Sequence, residues 1–254
     1  MLNEVAVARR ALGLVDLTRL GAAETAADMG SLCERAMTAC GPVAAVCVWP
    51  QFVSQCRSAL AGTGIRVAAV ANFPDGGSDA EVAVLQTRTI VADGADEVDL
   101  VMAYHAWLEG RRDLSRKLIA HCKVACGPGV VLKVILETGV LATPEAVREA
   151  SLDAIDSGAD FIKTSTGKTS VSATPEAAAI MLRAIRDRGA EVGFKAAGGI
   201  RELAQAAEYL SLADEIMGRD WACPARFRFG ASGLLDALLN VIEGCDENEP
   251  KDDY

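Results

Sequence analysis

The chain has 254 residues, of which 51% are hydrophobic and 24% are charged, and its formal net charge is -10. This length and apolar content predict one large buried core, since no linker or composition shift divides the chain before its last ten residues. The negative charge, without any lysine or arginine cluster, argues against nucleic-acid binding, so an anionic ligand would need a local pocket.

The other compositional signals predict a cytoplasmic protein with reduced thiols. The longest uncharged stretch, residues 36–56, contains a Gly-Pro pair and a second proline, which is typical of helix, strand and helix rather than a membrane span. The first residues do not resemble a secretory signal. Eight cysteines include no Cys-x-x-Cys pair, and the two histidines, His105 and His121, are too few for a histidine metal cage. We therefore expect neither a metal nor an organic cofactor.

In chain order, an amphipathic helix at Glu4–Leu12 precedes eight apolar, strand-like runs that alternate with helical patterns. The predicted strands are Leu14–Leu17, Ala44–Val48, Arg66–Ala71, Glu97–Met102, Val130–Leu136, Phe161–Thr164, Val192–Lys195 and Glu215–Met217. The other predicted helices are Thr25–Ala39, Phe52–Ala61, Asp79–Ala92, Asp113–Ala125, Pro144–Ser157, Pro175–Arg188, Glu202–Tyr209 and Leu234–Ile242.

Strands that are apolar on both faces, each followed by a helix, indicate a parallel sheet with right-handed crossovers. Eight such units predict an α/β fold with a single (β/α)8 TIM barrel and an extra N-terminal helix. Residues 1–245 would form the barrel domain and residues 246–254 an acidic tail. A doubly wound open sheet is the alternative, weakened by the lack of a Gly-x-Gly-x-x-Gly loop after the first strand.

Polar residues occur within or beside several predicted strands, and the carboxyl ends of barrel strands converge on one face. They are Asp16, Cys47, Asn72, Asp99, Lys133, Lys163 and Lys195. A charge inside a barrel strand costs several kcal/mol unless it is paired. Taken singly, Lys163 is typical of a solvated strand-end lysine, and Lys195 with Asp99 of an internal ion pair. The convergence of two aspartates and three lysines instead favours a reactive site.

The segment 161–168, Phe-Ile-Lys-Thr-Ser-Thr-Gly-Lys, places Lys163 at a strand end, just before a polar loop that carries Lys168. A free lysine has a pKa of about 10.4, and burial beside a second ammonium can lower it to about 7–8. The neutral amine then attacks carbonyl groups to form a Schiff base. A protonated imine accepts electrons, so this arrangement favours cleavage of carbon–carbon bonds.

Two glycine-containing segments, residues 197–201 and 229–232, are placed after predicted strands seven and eight. Barrel enzymes frequently bind phosphate at these positions through backbone amides. Glycine allows close backbone approach, while Ser232 offers a hydroxyl and Lys168 a charge. Arg201 is explained equally well as a cap on a neighbouring helix.

Together these segments resemble the 2-deoxyribose-5-phosphate aldolase family, class I Schiff-base aldolases with a (β/α)8 barrel, over nearly the whole chain. The matching segments are residues 14–18, 72–74, 94–99, 132–138, 159–168, 193–195, 197–201 and 228–232. The resemblance implies that Lys163 forms the Schiff base, that Lys195 lowers its pKa, and that Asp99 is the acid/base partner in a proton relay with Lys195 and water. Asp16 and Lys133 would support the relay and orient substrate hydroxyls.

The resemblance also implies a phosphate site and one further catalytic residue. The phosphate site would comprise Thr166, Gly167, Lys168, Gly198, Gly199, Ile200, Arg201, Gly230, Ser232 and Gly233. Many family members have a second serine where this chain has Gly233, and a proline where it has Ala196, so phosphate affinity is expected to differ. Longer members end in a tyrosine that reaches the site, which makes Tyr254 a candidate for proton transfer.

The implied reaction is the reversible cleavage of 2-deoxy-D-ribose 5-phosphate to acetaldehyde and D-glyceraldehyde 3-phosphate, in deoxyribonucleotide catabolism. The expected partners are a small phosphorylated sugar and short aldehydes, without nucleic acid or membrane, and a homodimer is one option for assembly. Two alternatives remain. One is a different Schiff-base aldolase, such as a transaldolase-like enzyme, and the other is a barrel that binds phosphorylated sugars without catalysis.

Overall fold

A computed structural model describes residues 4–246, and the side chains of residues 4–244. Eight parallel strands form a closed barrel in which each strand is hydrogen-bonded to the next and the last pairs with the first. The strands are β1 (Val15–Thr18), β2 (Ala45–Val48), β3 (Arg66–Ala71), β4 (Glu97–Val101), β5 (Val131–Ile135), β6 (Phe161–Lys163), β7 (Gly193–Ala197) and β8 (Phe227–Ala231).

Helices surround the barrel, and at least one follows each strand. They are α1 (Glu4–Leu12), α2 (Ala26–Ala36), α3 (Val53–Ala59), α4 (Ala80–Ala92), α5 (Tyr104–Leu108), α6 (Arg112–Cys126), α7 (Thr138–Leu141), α8 (Pro144–Asp156), α9 (Pro175–Arg188), α10 (Leu203–Met217) and α11 (Leu234–Asp246). A two-residue antiparallel ladder joins Met37–Thr38 to Gly41–Pro42. The N-terminal helix α1 packs against α10 and α11.

Local sequence explains where two of the helices begin. The side chains of Thr143 and Thr174 accept hydrogen bonds from the backbone N–H groups of Ala146 and Ala177, and a proline follows each threonine. A capping threonine satisfies an amide that the helix leaves unpaired, and proline already has the helical φ. These caps fix the starts of α8 and α9.

The predicted (β/α)8 barrel with an N-terminal helix is confirmed, and the open-sheet alternative is wrong because β1 pairs with both β8 and β2. The predicted eighth strand, Glu215–Met217, is also wrong. These residues form the end of α10, whose buried positions, such as Tyr209, Ala213 and Ile216, recur at helical spacing. The eighth strand is β8 instead, so residues 229–231 belong to a strand and only Ser232 follows it.

The boundary at residue 245 remains a prediction. No helix within residues 4–246 combines the length and the apolar character needed to cross a membrane.

Candidate active site

Strand register brings the predicted polar residues together inside the barrel. Asp99 on β4 is paired with Lys133 on β5, and Lys163 on β6 is paired with Lys195 on β7. The members of each pair lie side by side because the strands are parallel, whereas Lys163 is opposite Ile135 and so lies two residues closer to the carboxyl end than Lys133. All four side chains are buried, with Lys163 alone retaining 3% exposure.

The Asp99 carboxylate is the centre of the upper part of this cluster. Its Oδ2 accepts hydrogen bonds from Lys163 Nζ at 2.7 Å and from Lys195 Nζ at 2.8 Å. The thiol of Cys47 on β2 lies 3.8 Å from the same oxygen. One carboxylate oxygen therefore holds both amines beside each other.

The second aspartate, Asp16 on β1, lies below this group. Its Oδ2 accepts from Lys195 Nζ at 2.5 Å and from Lys133 Nζ at 3.0 Å. Lys133 also donates to Asp99 Oδ1 at 3.1 Å, so it connects the two carboxylates. Asp16 and Lys133 have no exposed surface and do not line the cavity described below; a contact with substrate hydroxyls stays a prediction.

The electrostatics distinguish the two upper lysines. Burial, reinforced by the nearby Lys195 ammonium, lowers the pKa of Lys163 even though Asp99 acts in the opposite direction. Burial alone would also lower the pKa of Lys195, but the carboxylates of Asp16 and Asp99 outweigh it and raise that pKa. Burial opposes ionisation of Asp99, yet the three lysines hold its pKa well below the usual range. Lys195 therefore stays an ammonium, while Lys163 is the amine that loses its proton more readily.

Lys163 faces an open cavity of about 370 Å³ at the carboxyl end of the barrel. The predicted phosphate-binding residues that line this cavity are Thr166, Gly167, Lys168, Gly198, Gly199, Ile200, Arg201, Gly230 and Ser232. Gly233 is not among the lining residues, and Tyr254 lies outside the described residues. Asp16, Asp99, Lys133 and Lys195 are buried below the floor.

Glycine is required at two points in the cavity wall. Gly198 has a φ of +90°, and an added Cβ would lie 2.6 Å from the side chain of Ser172. An added Cβ at Gly230 would lie 2.9 Å from Lys195 Cε, although Gly230 itself has an ordinary φ. The second glycine therefore leaves room for the buried lysine.

The ammonium of Lys168 reaches across the mouth of the cavity. Its Nζ donates to the backbone oxygen of Leu20 at 2.8 Å, which links the loop after β6 to the loop after β1. Trp49 Nε1 supports the second loop by donating to Gly21 O at 2.9 Å. A phosphate group that enters this part of the cavity would meet a cation and the backbone of the glycine-rich loops.

The polar residue Asn72, which the sequence grouped with the strand-end residues, has a different position. Its side-chain amide donates to the backbone oxygens of Gly77 and Val101, and it does not line the upper cavity. Asn72 therefore shapes the loop after β3.

Sequence reasoning missed three buried charged residues near the site. Glu97 and Arg228 form an ion pair of 2.9 Å in the lower part of the barrel. The alternation of Glu97 with Asp99 is a signal for a second inward-facing carboxylate, and Arg228 between two phenylalanines is a signal for strand eight. Glu137 is fully buried at a φ of +57°, and it accepts hydrogen bonds from Thr166 in the loop after β6. No strand pattern indicates Glu137, because it follows β5.

Comparisons with known proteins give the same fold and a family. The family model described as DeoC/LacD family aldolase matches residues 10–237. A Toxoplasma gondii ME49 protein, provisionally named a deoxyribose-phosphate aldolase, is 26% identical, with coverage of 96% of this chain and 98% of its own and a TM-score of 0.87. A Coccidioides immitis protein with the same provisional name is 28% identical, with coverage of 94% and 87% and a TM-score of 0.80.

A deoxyribose phosphate aldolase from Aeropyrum pernix, described as a unique tetramer, shares the fold at 22% identity. It covers 97% of this chain and 93% of its own chain with a TM-score of 0.74. The family match spans most of the barrel, including every strand from β1 to β8. The chain therefore belongs to the DeoC/LacD aldolase family.

Proposed function

We propose that this aldolase reversibly cleaves 2-deoxy-D-ribose 5-phosphate to acetaldehyde and D-glyceraldehyde 3-phosphate through a Schiff base on Lys163. The observation that carries the proposal is the buried Lys163 amine on the cavity floor, beside an ammonium and with a lowered pKa. The names of the similar structures supply the substrate. Deoxyribonucleotide catabolism is the corresponding metabolic role.

The reaction begins when the neutral Lys163 amine attacks C1 of the open-chain sugar. Lys195, held as an ammonium by Asp16 and Asp99, stabilises the developing negative charge on oxygen and supplies a proton as water leaves. Asp99 stays beside the nitrogen throughout and takes part in the proton relay. The product is a protonated imine between Lys163 and C1.

The imine then accepts the electron pair of the C2–C3 bond. The C3 hydroxyl passes its proton to the relay of Asp99, Lys195 and water as this bond breaks, which releases D-glyceraldehyde 3-phosphate and leaves an enamine on Lys163. Protonation at C2 followed by addition of water releases acetaldehyde and restores the amine. The water lost in imine formation is thus regained in hydrolysis.

The phosphate would bind in the part of the cavity that the ends of β7 and β8 and the loop after β6 form. Gly198 and Gly199 after β7 and Gly230 in β8 expose backbone to this cavity, and Ser232 and Lys168 add a hydroxyl and a positive charge. A sugar held by its phosphate would direct C1 towards the buried amine. This division gives Lys168 a binding role and Lys163 the covalent role.

Reductive trapping tests the proposal. Borohydride added with acetaldehyde should leave an ethyl group on Lys163, which peptide mass spectrometry identifies. Lys163→Met should abolish the adduct, whereas Lys168→Met, the same change five residues later, should retain it. An adduct on Lys168, or no adduct on the wild-type enzyme, contradicts the assignment.

A different Schiff-base aldolase activity is the second candidate, because the matching family description covers more than one aldolase. Comparison of acetaldehyde with dihydroxyacetone as donors separates the two, since our proposal expects turnover with acetaldehyde. A non-catalytic barrel is distinguished by the trapping experiment. The homodimer, one option for assembly, is tested by light scattering against a tetramer like that described for the Aeropyrum pernix relative.

A further inference from the structure

The buried ion pair Glu97–Arg228 has no part in the chemistry proposed above. Arg228 Nη2 donates to Glu97 Oε1 at 2.9 Å, and Nη1 lies 3.4 Å from Glu97 Oε2. Neither side chain lines the upper cavity, but both line a second cavity of about 600 Å³ at the amino-terminal end of the barrel. The pair is therefore separated from any substrate bound above Lys163.

A continuous series of contacts nevertheless connects Arg228 to the reacting amine. Arg228 Nη1 donates to Asp16 Oδ1 at 2.6 Å, and Asp16 Oδ2 accepts from Lys195 at 2.5 Å. Lys195 and Lys163 share Asp99 Oδ2. Every link is a charged hydrogen bond between buried groups, where electrostatic interactions are screened less than in water.

A second connection runs through Lys133. Its ammonium contacts Glu97 as well as Asp16 and Asp99, so it joins the lower ion pair to both upper carboxylates. The only exposed charge near this group, among the described residues, is Arg66, whose Nε lies 3.7 Å from Glu97 Oε1 and whose side chain is 48% exposed. Solvent screens the Arg66 charge only in part, so it acts on the cluster in the same direction as Arg228 but more weakly.

The cluster formed by these contacts contains three carboxylates and four bases among residues 4–244. Its members are Asp16, Glu97, Asp99, Lys133, Lys163, Lys195 and Arg228. With every base protonated, it carries one surplus positive charge in buried surroundings, which is unfavourable. Loss of a proton from Lys163, the member that lines the upper cavity, removes this surplus.

Among the described residues, the strand side chains that act on Lys163 come from three strands, whereas Arg19, Glu24, Lys168 and Arg201 line the open cavity above it. Asp99 and Lys195 are in contact or near contact, and Cys47 is the third group. Burial, assisted by Asp99, raises the pKa of Cys47 to about 11, so its thiol is neutral at ordinary pH. The charge state of Lys163 therefore depends on the cluster rather than on the thiol.

We propose that Glu97 and Arg228 are positioning residues that hold Asp16 from below and set the charge balance by which Lys163 becomes the neutral amine. Arg228 is permanently protonated, so it contributes a fixed positive charge that favours deprotonation elsewhere in the cluster. Glu97 opposes this effect as the countercharge. The inference rests on the proposed function only in taking Lys163 as the reacting amine.

The two residues should move the pH dependence in opposite directions. The acidic limb of the pH profile of kcat/KM is the range in which activity rises as Lys163 loses its proton. Glu97→Gln removes a negative charge, so Lys163 loses its proton at lower pH and this limb moves to lower pH. Arg228→Met removes a positive charge, so the limb moves to higher pH. The double variant restores the original net charge, and its limb should return to that of the wild type.

The expected displacement for each single variant is on the order of one pH unit. Two residues of a strand span about 7 Å, so Glu97 lies about 7 Å before Asp99 along β4 and about 10 Å from the Lys163 amine. One unit charge at that distance, with an effective dielectric constant of about 20, gives a displacement of this size. Arg228→Lys keeps the charge and should leave the limb in place.

Asp153→Asn is the matched control. Asp153 is a buried carboxylate that accepts from Arg112, Arg116 and Trp107, and it belongs to α8 outside the cluster. The change from carboxylate to amide equals that of Glu97→Gln, but the limb should stay at its wild-type pH. A shift equal to that of Glu97→Gln would mean that loss of any buried ion pair has this effect, and would overturn the inference.

The acidic limb is measured by steady-state kinetics and, independently, by the pH dependence of ethyl-group trapping on Lys163. Single variants that shift the limb in the same direction, or that lower activity without shifting it, overturn the inference. If neither Glu97→Gln nor Arg228→Met folds, Arg66→Glu reverses a half-exposed charge beside Glu97 and should move the acidic limb to higher pH. An unmoved limb in this variant contradicts the inference. Wild-type trapping on Lys163 with unmoved limbs defeats only this inference, whereas no wild-type trapping defeats the proposed function itself.

Discussion

Replacement of Lys195 by methionine removes one ammonium while keeping an unbranched side chain of similar length. Lys163 Nζ and Lys195 Nζ both donate to Asp99 Oδ2, at 2.7 and 2.8 Å, so the two nitrogens can be no more than about 5.5 Å apart. Two unit charges at about 5.5 Å repel by about 3 kcal/mol at an effective dielectric constant of about 20. The variant loses this repulsion and leaves Asp99 free to pair with Lys163, and both changes favour the protonated amine.

The direction of the pH effect follows from the role of the neutral amine. In the wild type, burial and Lys195 lower the pKa of Lys163, so the neutral amine, which is the nucleophile in the proposed mechanism, is present from a lower pH upward. The methionine variant has a higher Lys163 pKa, and its acidic limb therefore moves to higher pH. An energy of about 3 kcal/mol changes a protonation equilibrium by a factor on the order of 10². We expect kcat/KM at pH 7 to fall by at least that factor and to recover in part at higher pH.

The assay is the release of acetaldehyde from 2-deoxy-D-ribose 5-phosphate across a pH series. Lys168→Met provides the control, because it makes the same substitution at a lysine that lines the cavity above Lys195. It should raise KM for the phosphorylated substrate and leave the acidic limb in place. A Lys195→Met profile that differs from the wild type only in amplitude would refute the electrostatic role of Lys195.

Three further changes test other parts of the structure. Gly230→Ala places a methyl group 2.9 Å from Lys195 Cε. We expect kcat to fall about tenfold or more because Lys195 is displaced, while circular dichroism shows little change in fold. An unchanged kcat would contradict the packing argument. Glu137→Gln weakens the hydrogen bonds that Thr166 in the loop after β6 donates to Glu137. KM for the phosphorylated sugar should rise severalfold, while ethyl-group trapping on Lys163 persists. Loss of trapping would show that Glu137 has a different role. Asp153→Asn should lower the free energy of unfolding by about 1–3 kcal/mol, measured by urea denaturation at pH 7. Burial raises the pKa of Asp153, but hydrogen bonds from Arg112, Arg116 and Trp107 outweigh it and lower that pKa. The stabilisation by Asp153 is therefore present above its unfolded-state pKa and is lost as the pH falls through its folded-state pKa. An equal stability difference between wild type and variant at low and neutral pH would contradict this.

The residues of the reactive cluster were predictable because their chemistry conflicts with their position. Lys133, Asp99 and Lys195 lie in strand-like apolar runs, where a charge requires a partner, so the sequence already implies that they meet. The alternation of strands and helices likewise predicts the barrel. The prediction of the eighth strand is wrong because Glu215–Met217, with two apolar residues, is too short for hydrophobic periodicity to distinguish a strand from the end of a helix.

The barrel, the N-terminal helix and the acidic and basic residues at the strand ends follow from the sequence, since hydrophobic periodicity is a local property of the chain. The physical reason that Lys163 rather than Lys195 loses its proton comes from the tertiary structure. That choice depends on distances between β1, β4, β6 and β7, which place Lys195 against two carboxylates and Lys163 against one. The tertiary structure also shows Glu97 and Arg228 in contact with the lower part of this cluster. Their effect could not be read from single residues, because the charge balance of a buried cluster depends on all its members together.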